Sequence, residues 1–500
     1  MATFYIQQFG CRATQADGAA IERQLLHRGC TAASECASAD VVVVNTCTVT
    51  ASADAQARDA IRKLHAANPA ARVIVTGCYA QRAPEELAAL PGVSWVVGNS
   101  HKPQIPDLLQ TLSSHPSTSV SNGFFPAAAL EVDPMSLLRA PAKILTGDIF
   151  EQNVLLSAPV LGGEGNHTRP TLKIQDGCDS RCSYCVIPFV RGKSRSLPPE
   201  TVLHEIRRLT VGQTFLSVPS PPQTSHPAPS PAREIVLSGI NLGTYGRDLS
   251  PRVEFEDLLR RILDETSVER LRVSSIEPLD VTQDLVELFA GTDRIAQHFH
   301  MPLQSGSDRI LAAMHRWYRA EHYARRVELI RERLPQAAIG ADVITGFPGE
   351  SEAEHAATVN FIESLPFTYL HVFSFSKRPG TKAAALSNEV PPAVIKRRAR
   401  ELRALAEKKA AAFRQSQLGR TLRVLTLRRD NSSEVPDDTT PALSSNYLNV
   451  RVRGIFPANL WLNFCVSGEV GNRLIGDSES VLCGDSALGA CPGLAGASLP

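Results

Sequence analysis

Short strand patterns alternate with helical patterns through the middle of this 500-residue chain, and this alternation restricts its fold more than any other feature. The predicted strands are Thr171–Gln175, Glu234–Ser238, Arg270–Ser275, His298–Pro302, Ala338–Thr345 and Tyr369–Phe375. Strands that alternate with helices indicate a parallel sheet. Six such units within about 200 residues favour a partial (β/α)6 barrel over a doubly wound sheet, and reactive groups in such barrels lie at the C-terminal ends of the strands.

The first 105 residues predict a second, smaller α/β unit. Its strands are Thr3–Ile6, Val41–Asn45 and Val73–Thr76, and its helices are Ala16–Arg28 and Ala51–Ala67. Because strands and helices alternate here as well, the unit should contain a parallel sheet with βα connections. The predicted fold class of the chain is therefore α/β.

The remaining segments differ from these two units in composition. Residues 106–166 predict a linker with partial order, residues 167–392 the barrel, and the Pro/Ser-rich stretch at about 211–232 a surface insertion within the barrel. Residues 393–417 predict a basic helix. Residues 418–482, with predicted strands Thr421–Leu427 and Tyr447–Val452, indicate a small β-barrel of a kind that binds RNA, and residues 483–500 form a tail.

Three closely spaced cysteines, Cys178, Cys182 and Cys185, follow the first predicted barrel strand. Three thiolates on one loop can hold three irons of a 4Fe-4S cube and leave the fourth iron open to a substrate or cofactor. The alternative is a zinc site, but zinc loops usually supply paired cysteines to reach four ligands. No nearby His or Cys completes a tetrahedron here, so the pattern favours the iron–sulfur cluster.

Each predicted N-terminal strand ends at a cysteine, namely Cys11, Cys47 and Cys78. Ligands of open parallel sheets collect at the carboxyl ends of the strands. These three cysteines, about 30 residues apart, should therefore converge in space and form a second candidate cluster site. The alternative is that they are small hydrophobic residues that fill buried turns. No role is assigned to Cys30, Cys36, Cys465, Cys483 and Cys491.

Charge and cysteine use restrict the partners and the compartment. The net charge of +1 offers no support for a nucleic-acid partner, but Ala393–Arg429 holds twelve Lys or Arg and two Glu, a local charge of +10. This segment is either a solvated basic helix or a phosphate-binding surface.

No apolar run approaches the ~18 residues that span a bilayer, and the chain starts without a signal-peptide pattern. We therefore expect a cytoplasmic protein with no membrane partner, whose eleven cysteines serve metal or catalytic roles rather than disulfides.

The cysteine loop, with Tyr184 before its last cysteine, resembles the signature of radical S-adenosylmethionine enzymes. Phe9–Arg12, Asn45–Thr50 and Gly77–Gln81 resemble the N-terminal domain of methylthiotransferases, and Asn446–Val450 is similar to the TRAM RNA-binding module. The resemblance covers nearly the whole chain apart from the linker, the insertion and the tail. It implies a radical S-adenosylmethionine methylthiotransferase with these three modules in this order.

Four segments look most like the branch of this family that acts on N6-threonylcarbamoyladenosine in tRNA: Thr48–Thr50, Val97–Asn99, Gly177–Asp179 and Ser374–Gly380. The resemblance implies methylthiolation at C2 of this nucleoside next to the anticodon. Other branches act on N6-isopentenyladenosine in tRNA or on a ribosomal-protein aspartate. An iron–sulfur protein that binds RNA or senses redox state without catalysis is the alternative from another class.

The resemblance also implies the cofactors. These are S-adenosylmethionine and two 4Fe-4S clusters, one on Cys178, Cys182 and Cys185 and one on Cys11, Cys47 and Cys78. Cleavage of S-adenosylmethionine at the first would give a radical that removes hydrogen from C2, and the second would supply sulfur. Strand-end residues that look like cofactor contacts, each equally explained as a turn or cap, are Ser238, Gly239, Ser275, Glu277, Gln304 and Asp342. A reductant such as flavodoxin or ferredoxin is implied, and the sulfur donor is unknown.

Overall fold

The computed structural model describes residues 2–113, 142–160, 168–211, 231–429 and 438–482. Most of the Pro/Ser-rich insertion, the middle of the linker and the tail with Cys483 and Cys491 lie outside these described residues. The chain divides into two compact units, residues 1–413 and 414–500. No described helix is both long and apolar enough to cross a bilayer.

A six-stranded parallel sheet forms the start of the first unit. In sheet order its strands are β2 (Thr31–Ala32), β1 (Thr3–Gln8), β3 (Val41–Thr46), β4 (Arg72–Gly77), β5 (Val93–Gly98) and β6 (Lys143–Leu145). The helices around it are α1 (Arg12–His27), α2 (Ala51–Ala67), α3 (Cys78–Arg82), α4 (Pro84–Ala88) and α5 (Ile105–Ser113). Every residue of β3 is buried, as expected for a Val-rich strand inside a parallel sheet. The three predicted strands are confirmed as β1, β3 and β4.

Strand β6 lies within the segment predicted as a linker. It pairs in parallel with β5, with Trp95 opposite Lys143 and Val97 opposite Leu145. The Lys143 ammonium lies 5.0 Å from the centre of the Trp95 ring, which adds a cation–π contact. The sequence pattern does not reveal this strand, because three residues at a sheet edge are too few to show an alternation of period two.

Six parallel strands form the barrel part of the first unit, in two groups of three. β7 (Thr171–Lys173), β10 (Glu234–Ser238) and β11 (Arg270–Val273) pair in the order β11-β10-β7, and β12 (His298–His300), β13 (Ala338–Thr345) and β14 (Tyr369–Ser374) pair in chain order. Between the groups, Ile276 N donates to His300 O at 3.0 Å. An antiparallel pair, β8 (Gln175–Asp176) and β9 (Arg195–Ser196), follows β7. The predicted partial barrel is confirmed.

Helices separate the barrel strands and pack on them through apolar faces. They are α6 (Ile187–Arg191), α7 (Pro199–Val211), α8 (Phe255–Glu265), α9 (Gln283–Ala290), α10 (Asp308–Ala313), α11 (Ala320–Arg333), α12 (Glu352–Ser364) and α13 (Pro392–Gln415). In α8 the buried residues Phe255, Leu258 and Ile262 recur at helical spacing, so one face joins the barrel core. Helix α13 occurs where the sequence predicts a basic helix.

The second unit contains a closed five-stranded barrel, in agreement with the predicted small β-barrel. Its strands, in the order β15-β16-β17-β19-β18, are β15 (Thr421–Thr426), β16 (Thr439–Ser444), β17 (Asn449–Arg453), β19 (Arg473–Leu482) and β18 (Trp461–Val470). Val424, Val450, Leu462 and Phe464 fill the interior. Alternating inward apolar residues of this kind close small barrels without a ligand cavity.

Candidate active site

The cysteine triplet lies on the loop between β8 and β9, after the first barrel strand, where the sequence predicts it. Cys178 N donates to Gly192 O at 3.0 Å. Gly177, which precedes the triplet, has a φ of +72°, and a Cβ there would lie 1.9 Å from Lys193 O. Because only glycine fits this position, the backbone can turn tightly enough to present three thiols from one short loop.

The three thiols face one another in surroundings that disfavour free thiolates. Burial raises the pKa of Cys185 to about 12, and the neighbouring Cys182 and Cys178 sulfurs add to this rise. Burial also raises the pKa of Cys178. A bound metal reverses this effect, because its positive charge stabilises coordinated thiolates. The donor set therefore fits a metal centre.

Arg316 lies beside the triplet, and no sequence pattern indicates it. Its Nη1 is 3.4 Å from Cys182 Sγ, and its Nη2 forms an ion pair with Glu277, one of the predicted cofactor contacts. The Arg316 side chain is almost entirely buried. A buried guanidinium next to a cluster ligand places a fixed positive charge at the site. Because a lone arginine in the loop after α10 belongs to no motif, only the fold reveals its position.

Gln175 joins the cysteine loop to the end of β10. Its Nε2 donates to Gly177 O at 2.8 Å, and its Oε1 accepts from Ile240 N at 2.9 Å and Asn241 N at 2.8 Å. A Cβ on Gly239 would lie 2.9 Å from Gln175 Oε1. Gly239 is therefore needed for this close packing, whereas its contact with S-adenosylmethionine stays a prediction.

Asp342 joins two imidazoles at the last three barrel strands. Its Oδ1 lies 3.0 Å from His300 Nε2 and 3.2 Å from His371 Nδ1. Tyr369 Oη lies 2.9 Å from His300 Nδ1. Burial alone would raise the pKa of Asp342, but the hydrogen bonds from the two imidazoles outweigh it and hold this pKa well below its usual range. We call these four residues the His–Asp–Tyr network.

Gln304 adopts a backbone conformation that residues other than glycine rarely occupy. Its φ is +65°, and its N donates to Asp342 O at 2.8 Å. Strain of this kind is concentrated at functional sites. Ser238 and Gly239 lie at the end of β10, and Ser275 and Glu277 follow β11, as predicted. The sequence predicts Asp342 at the end of a strand, but it lies inside β13, which continues to Thr345. Contact of all six residues with S-adenosylmethionine stays a prediction.

The N-terminal cysteines converge as predicted. Cys11 precedes α1, Cys47 follows β3, and Cys78 follows β4 at the start of α3. Burial raises the pKa of Cys47 to about 11, and the Cys78 and Cys11 sulfurs add to the rise, so the three sulfurs lie close enough to repel one another as thiolates. Asn99, after β5, points its Nδ2 at Cys78 Sγ across 3.6 Å. That these cysteines hold a cluster stays a prediction.

Gly10→Ala should remove the iron of this N-terminal site, about four of about eight irons per reconstituted chain. The φ of Gly10 is +101°, and a Cβ there would lie 2.5 Å from Cys47 Cβ, so alanine would displace a predicted ligand. Gly29→Ala is the matched control, since Gly29 has a φ of +80° but a Cβ at that position would meet no atom within 4 Å. Iron and sulfide assays of both variants test this, and equal iron content would contradict it.

Five charged side chains, none more than 8% exposed, form a central ion network: Asp17, Lys102, Lys173, Asp176 and Arg191. Asp17 pairs with Lys102 at 2.8 Å and with Arg191 at 3.1 Å. Asp176 pairs with Arg191 at 2.8 Å and with Lys173 at 2.9 Å. Because Asp17 is on α1 and Asp176 directly precedes the cysteine loop, the network connects the elements that carry the two cysteine sites.

The central ion network has a net charge of +1, three cations less two carboxylates. Burial would raise the pKa of Asp17, but Lys102, Lys173 and Arg191 outweigh it and lower this pKa to about 2. Arg191 also acts to lower the pKa of Cys47. The excess positive charge would therefore stabilise thiolates at the N-terminal site.

Two segments that resemble the threonylcarbamoyladenosine branch touch each other next to Cys47. Arg378 Nη2 donates to Thr48 Oγ1 at 2.8 Å and also pairs with the buried Asp54. Ala51 N donates to Ser376 Oγ at 3.1 Å. Thr48–Thr50 and Ser374–Gly380 therefore belong to one interface between the N-terminal sheet and the barrel.

Comparisons with known proteins agree with this architecture. A model of the Radical SAM superfamily matches residues 172–362, and a family described as "Uncharacterized protein family UPF0004" matches residues 3–98. Among solved structures, the radical S-adenosylmethionine methyltransferase TsrM from Kitasatospora setae covers 77% of this chain and 75% of its own, with a TM-score of 0.51 at 15% identity. At that identity the likeness concerns the fold alone.

Curated relatives extend over most of the chain. A threonylcarbamoyladenosine tRNA methylthiotransferase MtaB from Aquifex aeolicus is 35% identical over 449 residues, 90% of this chain and 96% of that protein. The protein of the same name from Bacillus subtilis is 33% identical and covers 91% of both chains. A tRNA-2-methylthio-N(6)-dimethylallyladenosine synthase from Syntrophobacter fumaroxidans is 35% identical and covers 80% of this chain and 79% of its own.

Proposed function

The chain belongs to the radical S-adenosylmethionine methylthiotransferases, and we propose that it transfers a methylthio group to C2 of N6-threonylcarbamoyladenosine next to the anticodon of tRNA. Two relatives named for threonylcarbamoyladenosine align over at least 90% of the chain and support this branch. The relative named for dimethylallyladenosine has the same identity as the first of them. Sequence similarity alone therefore does not distinguish between the two nucleosides, so the choice between them rests on the chemistry of the site.

The His–Asp–Tyr network is the feature on which we base the choice of substrate. A threonylcarbamoyl group ends in a carboxylate and a hydroxyl, whereas a dimethylallyl group is a hydrocarbon. Packing a hydrocarbon against His300, Tyr369 and Asp342 would bury polar groups without new partners, which is unfavourable. The His371 side chain is 55% exposed, so its imidazole can hydrogen-bond to a carboxylate that enters the barrel mouth. The network thus favours the threonylcarbamoyl substituent.

The cofactors divide the chemistry between two sites. S-adenosylmethionine on a 4Fe-4S cluster supplies a carbon radical able to remove hydrogen from an unactivated aromatic C–H bond. Cys178, Cys182 and Cys185 would hold this cluster, and Arg316 would keep its positive charge beside Cys182. We assign a second cluster, the sulfur source, to the N-terminal cysteines. We also propose flavodoxin or ferredoxin as reductant and a cytoplasmic location, where tRNA is modified.

The basic helix α13 supports tRNA binding with fewer free charges than its sequence suggests. Arg398 is buried and pairs with Glu350 at 2.8 Å, and Arg397 pairs with Glu352 at 2.6 Å. Lys409 donates to two backbone carbonyls. Lys396 and Arg400 are exposed and are the cations that we propose for contacts with tRNA phosphates.

Mass spectrometry of tRNA nucleosides from a deletion strain tests the proposed function. We expect the 2-methylthio form of N6-threonylcarbamoyladenosine to disappear and the unmethylthiolated nucleoside to accumulate, because the enzyme that converts one into the other is absent. Wild-type chain should restore the product, and a Cys182→Ala chain should not. Loss of the methylthio form of isopentenyladenosine instead would assign the other tRNA branch, and unchanged nucleosides would contradict both.

A further inference from the structure

The aromatic ring of Trp317 is exposed to solvent, whereas the other two tryptophans are buried or partly buried. The chain has three tryptophans; Trp317 is 79% exposed, Trp461 is 1% exposed, and Trp95 is partly covered. A tryptophan side chain carries roughly 150–250 Å² of largely apolar surface, and such residues are highly buried on average. An indole left this open is accessible to a binding partner, and its surroundings decide which partner fits.

The loop that carries Trp317 is attached to the cysteine loop. Ser183 N donates to Met314 O at 2.9 Å, and Ser183 Oγ donates to Ala313 O at 2.8 Å. Arg316, the residue before Trp317, reaches to 3.4 Å from Cys182 Sγ. Because the cysteine loop follows the C-terminal end of a barrel strand, Trp317 stands at the rim of the barrel mouth.

Buried and exposed side chains alternate along this loop. Met314, Arg316 and Tyr318 point into the protein, and His315, Trp317 and Arg319 are exposed. The Arg319 guanidinium is 73% exposed and has only a long contact of 4.0 Å with Asp308 among the ion pairs of the described residues. The outward face is therefore an aromatic ring flanked by an imidazole and a guanidinium. Unpaired nucleic-acid bases stack on rings in such settings while basic side chains contact the phosphates.

We propose that Trp317 stacks on an unpaired base of the tRNA substrate next to the target adenosine, with Arg319 beside the adjoining phosphate. Enzymes that act on a ring atom of a base take that base out of its stack. A target adenosine that enters the barrel mouth leaves the face of a neighbouring base uncovered, and Trp317 covers it at the rim. This inference rests on the proposed tRNA substrate and adds a positioning residue outside the cofactor site.

Tryptophan fluorescence of the reconstituted full chain, titrated with unmethylthiolated tRNA, tests this stacking. We expect quenching in the wild type and in Trp95→Phe, and loss of most of that quenching in Trp317→Phe, because the other two indoles are partly covered or buried. Trp317→Ala should weaken tRNA binding about 5- to 150-fold, the range for one lost base stack. Trp317→Phe should weaken it less, because phenylalanine still stacks.

The controls separate this inference from the proposed function. Leu26→Ala removes another exposed apolar side chain and should leave tRNA affinity unchanged, and iron content should be normal in every variant. Wild-type quenching that persists in Trp317→Phe would overturn the stacking while leaving the tRNA function intact. Trp317→Ala with normal tRNA affinity but slower electron transfer from flavodoxin would assign the indole to a protein interface instead. A wild type that binds no tRNA would overturn both.

Discussion

Reconstituted wild-type protein is expected to contain about eight irons per chain, and Cys182→Ala about four, with no cleavage of S-adenosylmethionine. The thiol of Cys182 is one of only three that the cysteine loop offers, and Arg316 lies 3.4 Å from it. Without it the loop supplies two ligands, too few to hold a cube with one open iron. Iron and sulfide assays and chromatography for 5′-deoxyadenosine measure both effects.

Two further variants complete this experiment. Cys36→Ala is the matched control, because Cys36 donates to Leu64 O and belongs to neither cysteine site; it should retain about eight irons. Cys11→Ala should retain about four irons and still cleave S-adenosylmethionine, because the barrel site is intact. A wild-type iron content near four that Cys11→Ala leaves unchanged would contradict the proposed N-terminal cluster. Retained cleavage of S-adenosylmethionine in Cys182→Ala would contradict the role assigned to the triplet.

The two cysteine sites could be located from the sequence because each depends on a local or a topological rule. Cys178, Cys182 and Cys185 lie within one loop, so their spacing alone brings them together. Cys11, Cys47 and Cys78 are distant in sequence, but parallel strands place their carboxyl ends at one edge. The barrel and the N-terminal sheet could likewise be predicted because alternating strand and helix patterns follow a regular rule.

Residues that support these cysteines could not be found in this way. Arg191 pairs with Asp17 across 174 positions, and Lys102 does so across 85. Nothing in the sequence relates such partners. The pair with Arg191 forms only when the N-terminal sheet packs on the barrel, and the pair with Lys102 forms only when α1 packs beside the segment after β5. A weak signal exists in Lys173, a charged residue between the apolar Leu172 and Ile174, because a lysine in such a position is expected to be buried only with a partner.

The count of charged residues along the sequence overestimates the number of cations that are free to bind phosphate. Arg398 is counted in the local charge of +10, yet its side chain is buried against Glu350 and Glu352. A count along the sequence cannot separate cations that hold a helix in place from those that face solvent. The phosphate-binding surface of α13 is accordingly smaller than the sequence suggests.

Arg191→Met should destabilise the metal-free first unit by about 3–5 kcal/mol, the range for a buried ion pair that loses one partner. Arg191 donates to Asp176 at 2.8 and 2.9 Å, to Asp17 at 3.1 Å and to Thr14 Oγ1 at 3.2 Å. Methionine fills similar volume but leaves the Asp176 carboxylate without the Nη1 donor that contacts both of its oxygens. Arg191→Lys keeps the positive charge but loses the two donor nitrogens of the guanidinium. Its free energy of unfolding should therefore lie between those of the wild type and Arg191→Met.

The pH dependence identifies the cause of this destabilisation. The pKa of Asp17 is about 2 in the folded protein, since three cations outweigh the effect of burial, against about 3.9 in an unfolded chain. A carboxyl group whose pKa is lower in the folded state stabilises the fold at pH values above its unfolded-state pKa. This contribution is lost as the pH falls toward the folded-state pKa. Removing Arg191 raises the folded pKa, so acid unfolding of Arg191→Met should begin at higher pH than in the wild type.

Urea unfolding of the metal-free protein between pH 3 and pH 7, followed by circular dichroism, measures both effects. Arg325→Met is the control, because Arg325 pairs with Glu321 on an exposed helix face and should change little. If Arg191→Met and Arg325→Met unfold at the same urea concentration, the central ion network does not stabilise the packing of the sheet on the barrel. A loss that is full at neutral pH and smaller at pH 3 would show that the paired carboxylates carry it, as expected for charges that connect the elements of the two cysteine sites.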